Sequence, residues 1–294
     1  MPNRYNFIPV PASSMHMPFA RVGDLEIHYD LADYTDPWRS REPETLLLYS
    51  GYCRNMEFWR AWVPLLGRDY RILRLDPRGY GATSKPALGA AFTTGMLAGD
   101  AIGLMDALGI ERAHWVGEST GGTLGLVAAL NHPQRIASIT MCNAFARMGG
   151  ETISTYALGE ANQAAAIEKY GVAEWCRRTL KHRMDVNRAP PGIGEWMARE
   201  MARTPVHIAT AAFRLFSGVD LTPRLAEISA PVLLVMGSNC SDRLRRHLAE
   251  MRGLLPRANV VQLDGYDYGI HFLAPDAVTA EVRRFLRTLD ATCH

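Results

Sequence analysis

Hydrophobic and polar positions follow two alternating patterns along most of the chain. From residue 45, short apolar runs typical of strands alternate with longer segments whose apolar residues recur every three or four positions. This alternation is typical of β-α units around a mostly parallel central sheet flanked by helices. The runs expected to be strands are "TLLLYSG", "YRILRLDPRGYG", "AHWVGES", "IASITMCNA", "APVLLVMGS" and "ANVVQLDG". Upstream, "ARVGDLEIHYDL" predicts an antiparallel hairpin at the sheet edge.

The alternation stops between about Arg147 and Leu221. This stretch lacks convincing strands and has helical patterns around "ISTYALGEANQAAAIEKYG", "AEWCRRTLKHRM" and "EWMAREMARTPVHIATAAFRLF". We therefore predict one α/β core of residues 21–146 and 222–290, with residues 147–221 as an inserted helical cap. Residues 1–20 are expected to be an N-terminal tail.

Composition excludes several classes of protein. The 294 residues are 48% hydrophobic and carry a net charge of +2 without long runs of either sign, so neither a nucleic-acid nor a membrane partner is indicated. The five scattered cysteines include no C-x-x-C pair, which argues against a disulfide framework and a zinc site and favours a cytoplasmic location. No metal or cofactor is implied.

The stretch "AHWVGESTGGTLG" carries the first sign of chemistry, because a strand-like run is followed by a helical one with Ser119 between them. Gly117 and Gly121 suit the tight turn that projects a nucleophilic serine at the end of a strand. The same turn would put the Thr120 N–H and the helix dipole beside a developing oxyanion. Ser119 is therefore the candidate nucleophile.

A serine nucleophile needs a base, and the base needs an acid that orients it. His271 follows the last predicted strand in "DGYDYGIHFLAP", and Asp242 follows the resumed strand in "GSNCSD". Ser119, Asp242 and His271 then occur in the chain order Ser, Asp, His that is expected when all three lie at one edge of the sheet. Asp264 and Asp267 flank His271 and are local alternatives for the acid, while Asp242 could instead cap the following helix.

These motifs, with "LLLYSGYCRNMEFW", "LMDALGIERAHWVGESTGG", "PVLLVMGS" and "GIHFLAPDAVTAEVRRFL", resemble α/β-hydrolase-fold serine hydrolases over roughly residues 20 to 290. The resemblance is to the esterase and lactonase branch that includes the 3-oxoadipate enol-lactonases. It implies hydrolysis through an acyl-serine without a cofactor, and a cap that shapes the substrate pocket. It also implies that the Tyr52 N–H is the second oxyanion donor, in a turn where Ser50 replaces the usual histidine.

The substrate-binding residues are expected to come from the oxyanion turn, the elbow and the aromatic residues of the cap. The candidates are Tyr52, Cys53, Glu118, Trp175, Trp196 and Phe213. The Tyr52 phenol could narrow the pocket or contact the substrate. The cap has no cluster of charge, which favours a neutral, apolar substrate, although a substrate carboxylate could find Arg54, Arg147 or Arg203.

The sequence thus predicts a serine hydrolase that cleaves an ester or lactone of a small, apolar substrate. A carbon–carbon bond hydrolase, an acyltransferase and a non-catalytic small-molecule receptor with a vestigial triad remain open, because one fold hosts many functions. The predicted partner is a small molecule, and the sequence leaves a homodimer possible.

Overall fold

The centre of the molecule is an eight-stranded sheet, seen in a computed structural model that describes residues 18–290. The strands lie in the order β1-β2-β4-β3-β5-β6-β7-β8. Their bounds are β1 Phe19–Val22, β2 Leu25–Ala32, β3 Thr45–Tyr49, β4 Arg71–Leu75, β5 Ala113–Glu118, β6 Ile136–Cys142, β7 Val232–Gly237 and β8 Ala258–Leu263.

The sheet is parallel except at one edge. β1 and β2 form an antiparallel hairpin and β2 pairs antiparallel with β4, whereas β4, β3, β5, β6, β7 and β8 are all parallel. Strands β3, β5 and β7 are buried at every position, which explains their nearly continuous apolar runs. The predicted α/β class with an antiparallel edge is confirmed.

Ten α-helices flank the sheet or follow its strands within the described part of the chain. Their bounds are α1 Trp62–Leu66, α2 Thr94–Ala107, α3 Thr120–Asn131, α4 Gly150–Ala157, α5 Gln163–Arg178, α6 Ile193–Met201, α7 Val206–Ser217, α8 Asp242–Leu254, α9 Ile270–Leu273 and α10 Pro275–Asp290. The expected helix "MEFWRAWVPLLG" is instead a single 3₁₀ turn at Met56–Trp59 followed by the short α1.

Helices α4 to α7 lie between β6 and β7. The segment closes on itself at its base, where Arg147 and Asp220 form a β-bridge. The pattern "ISTYALGEANQAAAIEKYG" does not form one helix, because Leu158 adopts a left-handed conformation with φ 54° that ends α4, and Asn162 caps a new helix. Pro205 similarly separates α6 from α7.

Most of the predicted N-terminal tail lies outside the described residues. Its last residues differ from the prediction, because Phe19 and Ala20 already pair with β2 as part of β1. Within residues 18–290 no helix has the length and apolar character that crossing a bilayer would require.

Candidate active site

Ser119 occupies a strained turn between β5 and α3. Its backbone has φ 52° and ψ −123°, a conformation that non-glycine residues rarely adopt. A Cβ at Gly117 would lie 2.3 Å from the Gly121 carbonyl group, and one at Gly121 would lie 2.3 Å from Tyr49 O. Only glycine fits at these two positions, and the tight turn that they allow projects Ser119 from the carboxyl end of β5.

The turn after β3 runs alongside Ser119. A Cβ built on Gly51 would be 3.0 Å from Ser119 Cβ, so the backbone that leads into Tyr52 passes close to the serine. Thr120 is the first residue of α3, and the N–H groups of a first helical turn have no acceptor within the helix. The two predicted oxyanion donors, the Tyr52 and Thr120 N–H groups, thus flank Ser119 on adjacent segments.

Side chains hold this turn in place. Ser50 Oγ donates to Asn55 O at 2.7 Å, which supplies a local restraint where the histidine of the resembled family would stand. The Tyr52 hydroxyl donates to Ala209 O in α7, and its ring meets the Trp175 ring at 5.7 Å between centroids. The Tyr52 hydroxyl is therefore already hydrogen-bonded to α7, and Tyr52 contributes to the shape of the cavity through its ring.

Tyr52→Phe is expected to leave kcat/KM for esters within about threefold and to lower the free energy of unfolding by about 0.5–1.5 kcal/mol, because the variant loses the hydrogen bond to Ala209 and keeps the ring. Ester kinetics and urea unfolding measure both quantities. A large loss of kcat at unchanged stability would instead show that the phenol contacts the substrate.

Glu118 is buried beside Ser119 and forms an ion pair with the equally buried Arg54. Its Oε2 has no hydrogen-bond partner among residues 18–290 and lies against Gly51, whose Cβ would be 2.3 Å away. Burial, the largest single influence, acts to raise the pKa of Glu118, but the Arg54 guanidinium, the His271 ring and the Gly51 backbone together hold that pKa below its usual value. Glu118 is thus a carboxylate in the native state.

His271 lies in α9 and is 1% exposed. Its ring packs against Trp59 at 4.8 Å and Phe272 at 4.9 Å between centroids, and within the described chain neither ring nitrogen has a hydrogen-bond partner. Burial lowers the pKa of His271 to about 3, although the nearby Glu118 carboxylate acts in the opposite direction. The imidazole is neutral, and it does not line the cavity at Ser119.

The buried His271 predicts an acid-sensitive fold. The unfolded ring takes up a proton below about pH 6.5 and the native ring only near pH 3, so stability is complete above the unfolded pKa and is lost on acidification between the two values. From pH 6.5 to pH 5 the loss is about 2 kcal/mol. Urea unfolding at both pH values measures this loss of stability. The loss should be smaller in His271→Phe than in the wild type, and equal to the wild-type loss in His132→Gln. An equal loss in all three proteins would contradict the conclusion that burial of His271 causes it.

Asp242 departs from the predicted triad. It begins α8, its side chain is 75% exposed, and its carboxylate pairs with Arg245 one turn along the helix. That contact lowers its pKa, and nothing joins it to His271. The structure therefore places Asp242 at a helix N-terminus, where a carboxylate is favoured by the helix dipole. The flanking Asp267 does not hydrogen-bond to the His271 ring either.

Ser119 opens into a cavity of about 660 Å³ between the sheet edge and helices α4, α5, α7 and α8. Of the expected substrate-binding residues, Tyr52, Glu118, Trp175 and Phe213 line it. Cys53 and Trp196 do not: Cys53 is buried with its thiol pKa raised to about 12 by desolvation, and Trp196 packs on Phe58.

The cavity lining is more polar than the sequence indicated. The lining residues that the sequence analysis did not assign to the pocket include Asn143, Tyr156, His182, Arg183, Arg243, Arg246 and Tyr268. Asn143 could have been identified, because it directly follows β6 at the same sheet edge as Ser119. Arg183 lies between helices of the inserted segment, where no local pattern marks it. The expected apolar pocket is thus replaced by one that combines aromatic rings with arginines.

A protein site for a metal ion needs several ligand side chains that converge on one point. Among residues 18–290, no three His, Cys, Asp or Glu side chains converge as a metal site would require.

Comparison with known proteins agrees with this architecture. A family model described as the α/β hydrolase fold matches residues 44–171. A relative named "Putative carbamate hydrolase RutD" in Azorhizobium caulinodans is 31% identical over 283 residues, covering 93% of this chain and 100% of that protein. The protein of the same name in Caulobacter sp. (strain K31) is 27% identical over 260 residues, covering 83% and 90%.

Solved structures give the same result. The enol-lactonase from Burkholderia xenovorans LB400 superposes with a TM-score of 0.81 at 25% identity, covering 92% of this chain and 100% of that chain. An esterase from Thermogutta terrifontis, at 21% identity and a TM-score of 0.77, shares the fold and covers 93% of this chain and 97% of its own. Together, the Ser119 elbow, the sheet and likeness along nearly the whole chain show that this protein belongs to the α/β-hydrolase fold family.

Proposed function

We propose that the protein is a serine hydrolase that cleaves an ester or lactone bond of a small molecule through an acyl-Ser119 intermediate. The observation that carries the proposal is the backbone of Ser119, which is held at φ 52° at the floor of a cavity beside two backbone N–H groups. Strain of this kind persists only where surrounding residues enforce it, as Gly117 and Gly121 do here.

In the proposed reaction, Ser119 Oγ attacks the substrate carbonyl carbon and its proton passes to a base. The carbonyl oxygen becomes an oxyanion that accepts hydrogen bonds from the Tyr52 and Thr120 N–H groups. The carbon–oxygen bond to the leaving group then breaks, and the base returns the proton to the departing alkoxide. Water, deprotonated by the same base, hydrolyses the acyl-serine and regenerates Ser119.

His271 is the proposed base, and Glu118 rather than Asp242 is the proposed carboxylate beside it. Glu118 is the buried carboxylate whose charge acts on the His271 ring, and no side chain within residues 18–290 donates a hydrogen bond to its Oε2. The ring must leave Trp59 and turn toward Ser119 when substrate binds, and contact with Glu118 would then raise its pKa toward the working range.

Esters and lactones are the proposed substrates because the enol-lactonase and the esterase among the similar structures carry those names. A carbamate, the bond named in two relatives, also has a carbonyl carbon that Ser119 could attack, so carbamates belong among the substrates to be tested. Carbon–carbon bond cleavage and acyl transfer would use it too, so a panel of p-nitrophenyl esters, lactones, carbamates and β-diketones separates these reactions.

A second candidate is a small-molecule receptor on the same scaffold. The observation that favours it is the separation of the predicted triad: the ring of His271 has no hydrogen-bond partner in the described residues, and Asp242 faces solvent. A receptor would bind its ligand tightly without turnover, and Ser119→Ala would leave that binding unchanged.

Labelling with a fluorophosphonate probe distinguishes the two candidates. We expect the wild-type protein to react, with the added mass on the peptide that contains Ser119, and Ser119→Ala to be unlabelled. Absence of labelling and of ester turnover in a folded wild-type protein would support the receptor.

A further inference from the structure

We propose that Arg183 binds a carboxylate group on the substrate whose ester or lactone carbonyl lies at Ser119. This inference rests on the proposed function and adds a substrate class to it, namely small molecules with one free carboxylate. Its evidence is the environment of Arg183, which neither the fold nor the relatives' names assign to any role.

The guanidinium of Arg183 lies close to two aromatic rings that are tilted against each other. Its Cζ lies 4.0 Å from the centroid of Trp175 and 4.8 Å from that of Tyr156. Its Nε donates to Thr179 Oγ1 at 2.8 Å, and Thr179 Oγ1 donates in turn to Trp175 O. These contacts hold the guanidinium in one position, and a guanidinium held in place can bind a carboxylate through two of its N–H groups.

The same guanidinium lacks a counter-charge. Arg183 is 7% exposed, forms no ion pair with a carboxylate among residues 18–290, and its Nη2 has no hydrogen-bond partner there. A buried charge left in this state is costly, and the aromatic rings offset only part of the cost. Since Arg183 lines the cavity, an anion in the cavity would complete its contacts.

A short series of contacts connects Arg183 to the reaction centre. The Trp175 ring that contacts the Arg183 guanidinium also packs edge-on against the Tyr52 ring. The backbone N–H of Tyr52 is one of the two proposed oxyanion donors. Ser119 and Arg183 line the same cavity, so one small molecule can reach both. The anion and the scissile carbonyl would then lie at opposite ends of the substrate.

The charges around the cavity favour a single negative charge on the substrate. Arg54 is paired with Glu118, Arg147 with Glu250 and Arg243 with Glu151. Arg246 and Arg183 have no ion pair within residues 18–290, but Arg246 is exposed to solvent, whereas Arg183 is buried. Asn143 adds a neutral donor and acceptor, because both of its side-chain polar atoms are buried without partners within residues 18–290.

The test compares the p-nitrophenyl monoester of glutaric acid with a neutral isostere in which an isopropyl group replaces the free carboxylate. We expect the wild-type kcat/KM to favour the anionic ester by about 10- to 100-fold, mainly through KM, because a charge-assisted hydrogen bond far from the reacting carbonyl stabilises substrate and transition state alike. Arg183→Gln should bring the ratio of the two kcat/KM values close to one, and this ratio is the readout because any general effect of the substitution on the cavity lowers both values alike.

Two further variants keep the test decisive. Arg183→Lys retains the positive charge but lacks the planar, two-pronged donor geometry of a guanidinium. It should therefore retain part of the preference for the anionic ester, and it remains informative if Arg183→Gln folds poorly. Arg177→Gln is the matched control, since Arg177 is exposed and paired with Glu195 in the same region. An equal kcat/KM for the two esters in the wild type, or a preference that survives in Arg183→Gln, would overturn the inference.

Direct binding separates this inference from the proposed function. Glutarate should bind to Ser119→Ala more tightly than neutral glutaramide does in isothermal titration, and addition of Arg183→Gln should abolish the difference. If glutarate binds in this way and the wild-type protein has no esterase activity, the anion site is supported and the proposed hydrolase function is refuted. If the wild-type protein hydrolyses the neutral ester but glutarate does not bind, the anion site alone is refuted.

Discussion

Ser119→Ala is expected to lower kcat for p-nitrophenyl esters by at least about a thousandfold, to the level left by the oxyanion donors and the cavity alone. The reason is that Ser119 Oγ forms the covalent bond to the acyl group, and Ser119 is the residue that the strained turn between β5 and α3 projects into the cavity. Initial rates with an ester and titration with a fluorophosphonate probe measure the loss.

The matched control is Ser217→Ala. Ser217 ends α7, and its Oγ donates only to Arg214 O one turn earlier, away from the cavity at Ser119. It should keep wild-type kinetics and labelling. Retention of turnover in Ser119→Ala would place the reaction elsewhere and refute the acyl-serine mechanism.

Glu118→Gln is expected to lower the free energy of unfolding by about 3–5 kcal/mol, because it leaves Arg54 as a buried charge without its partner. The lowered pKa of Glu118 adds a pH signature. The native carboxylate contributes stability above the unfolded pKa, and this contribution is lost as pH falls through the native pKa. Urea unfolding as a function of pH should show this loss of stability on acidification in the wild type, and Glu118→Gln should lack it.

Two comparisons separate the structural role of Glu118 from its proposed role beside His271. The double variant Glu118→Gln/Arg54→Met removes both charges, so it should recover most of the stability while its kcat stays low. Asp242→Asn changes an exposed carboxylate that contacts Arg245 and should change neither stability nor kcat measurably. Loss of activity in Asp242→Asn together with full activity in the double variant would return the acid role to Asp242.

The strands could be predicted from the sequence because the pattern that marks them is local. A strand with both faces covered must be apolar at nearly every position, as "TLLLY" and "VLLVMG" are, and glycines 117 and 121 mark a turn that other residues cannot make. The helical pattern of residues 147–221 was equally local. Its breaks at Leu158 and Pro205 limited the prediction to the type of structure and left the lengths of the helices open.

The site depends on contacts between distant parts of the chain, and there the sequence was less informative. Chain order suggested Asp242 and His271, but order does not determine which way a side chain turns: Asp242 faces Arg245, and His271 packs on Trp59, which lies far away in sequence. The pairing of Arg54 with Glu118 arises only when β3 and β5 lie side by side in the sheet. The position of Arg183 near both Tyr156 and Trp175 arises only when the helical segment packs on itself.

The sequence by itself thus determined the α/β class, the parallel sheet with its antiparallel edge and the serine at the elbow, since each follows from periodicity or from the steric needs of a few neighbouring residues. Tertiary structure alone decided which carboxylate is buried beside the serine, which buried arginine has no ion pair within residues 18–290 and how polar the cavity is. These properties depend on burial and on partners far apart along the chain, and burial is what gives a charge most of its energetic weight.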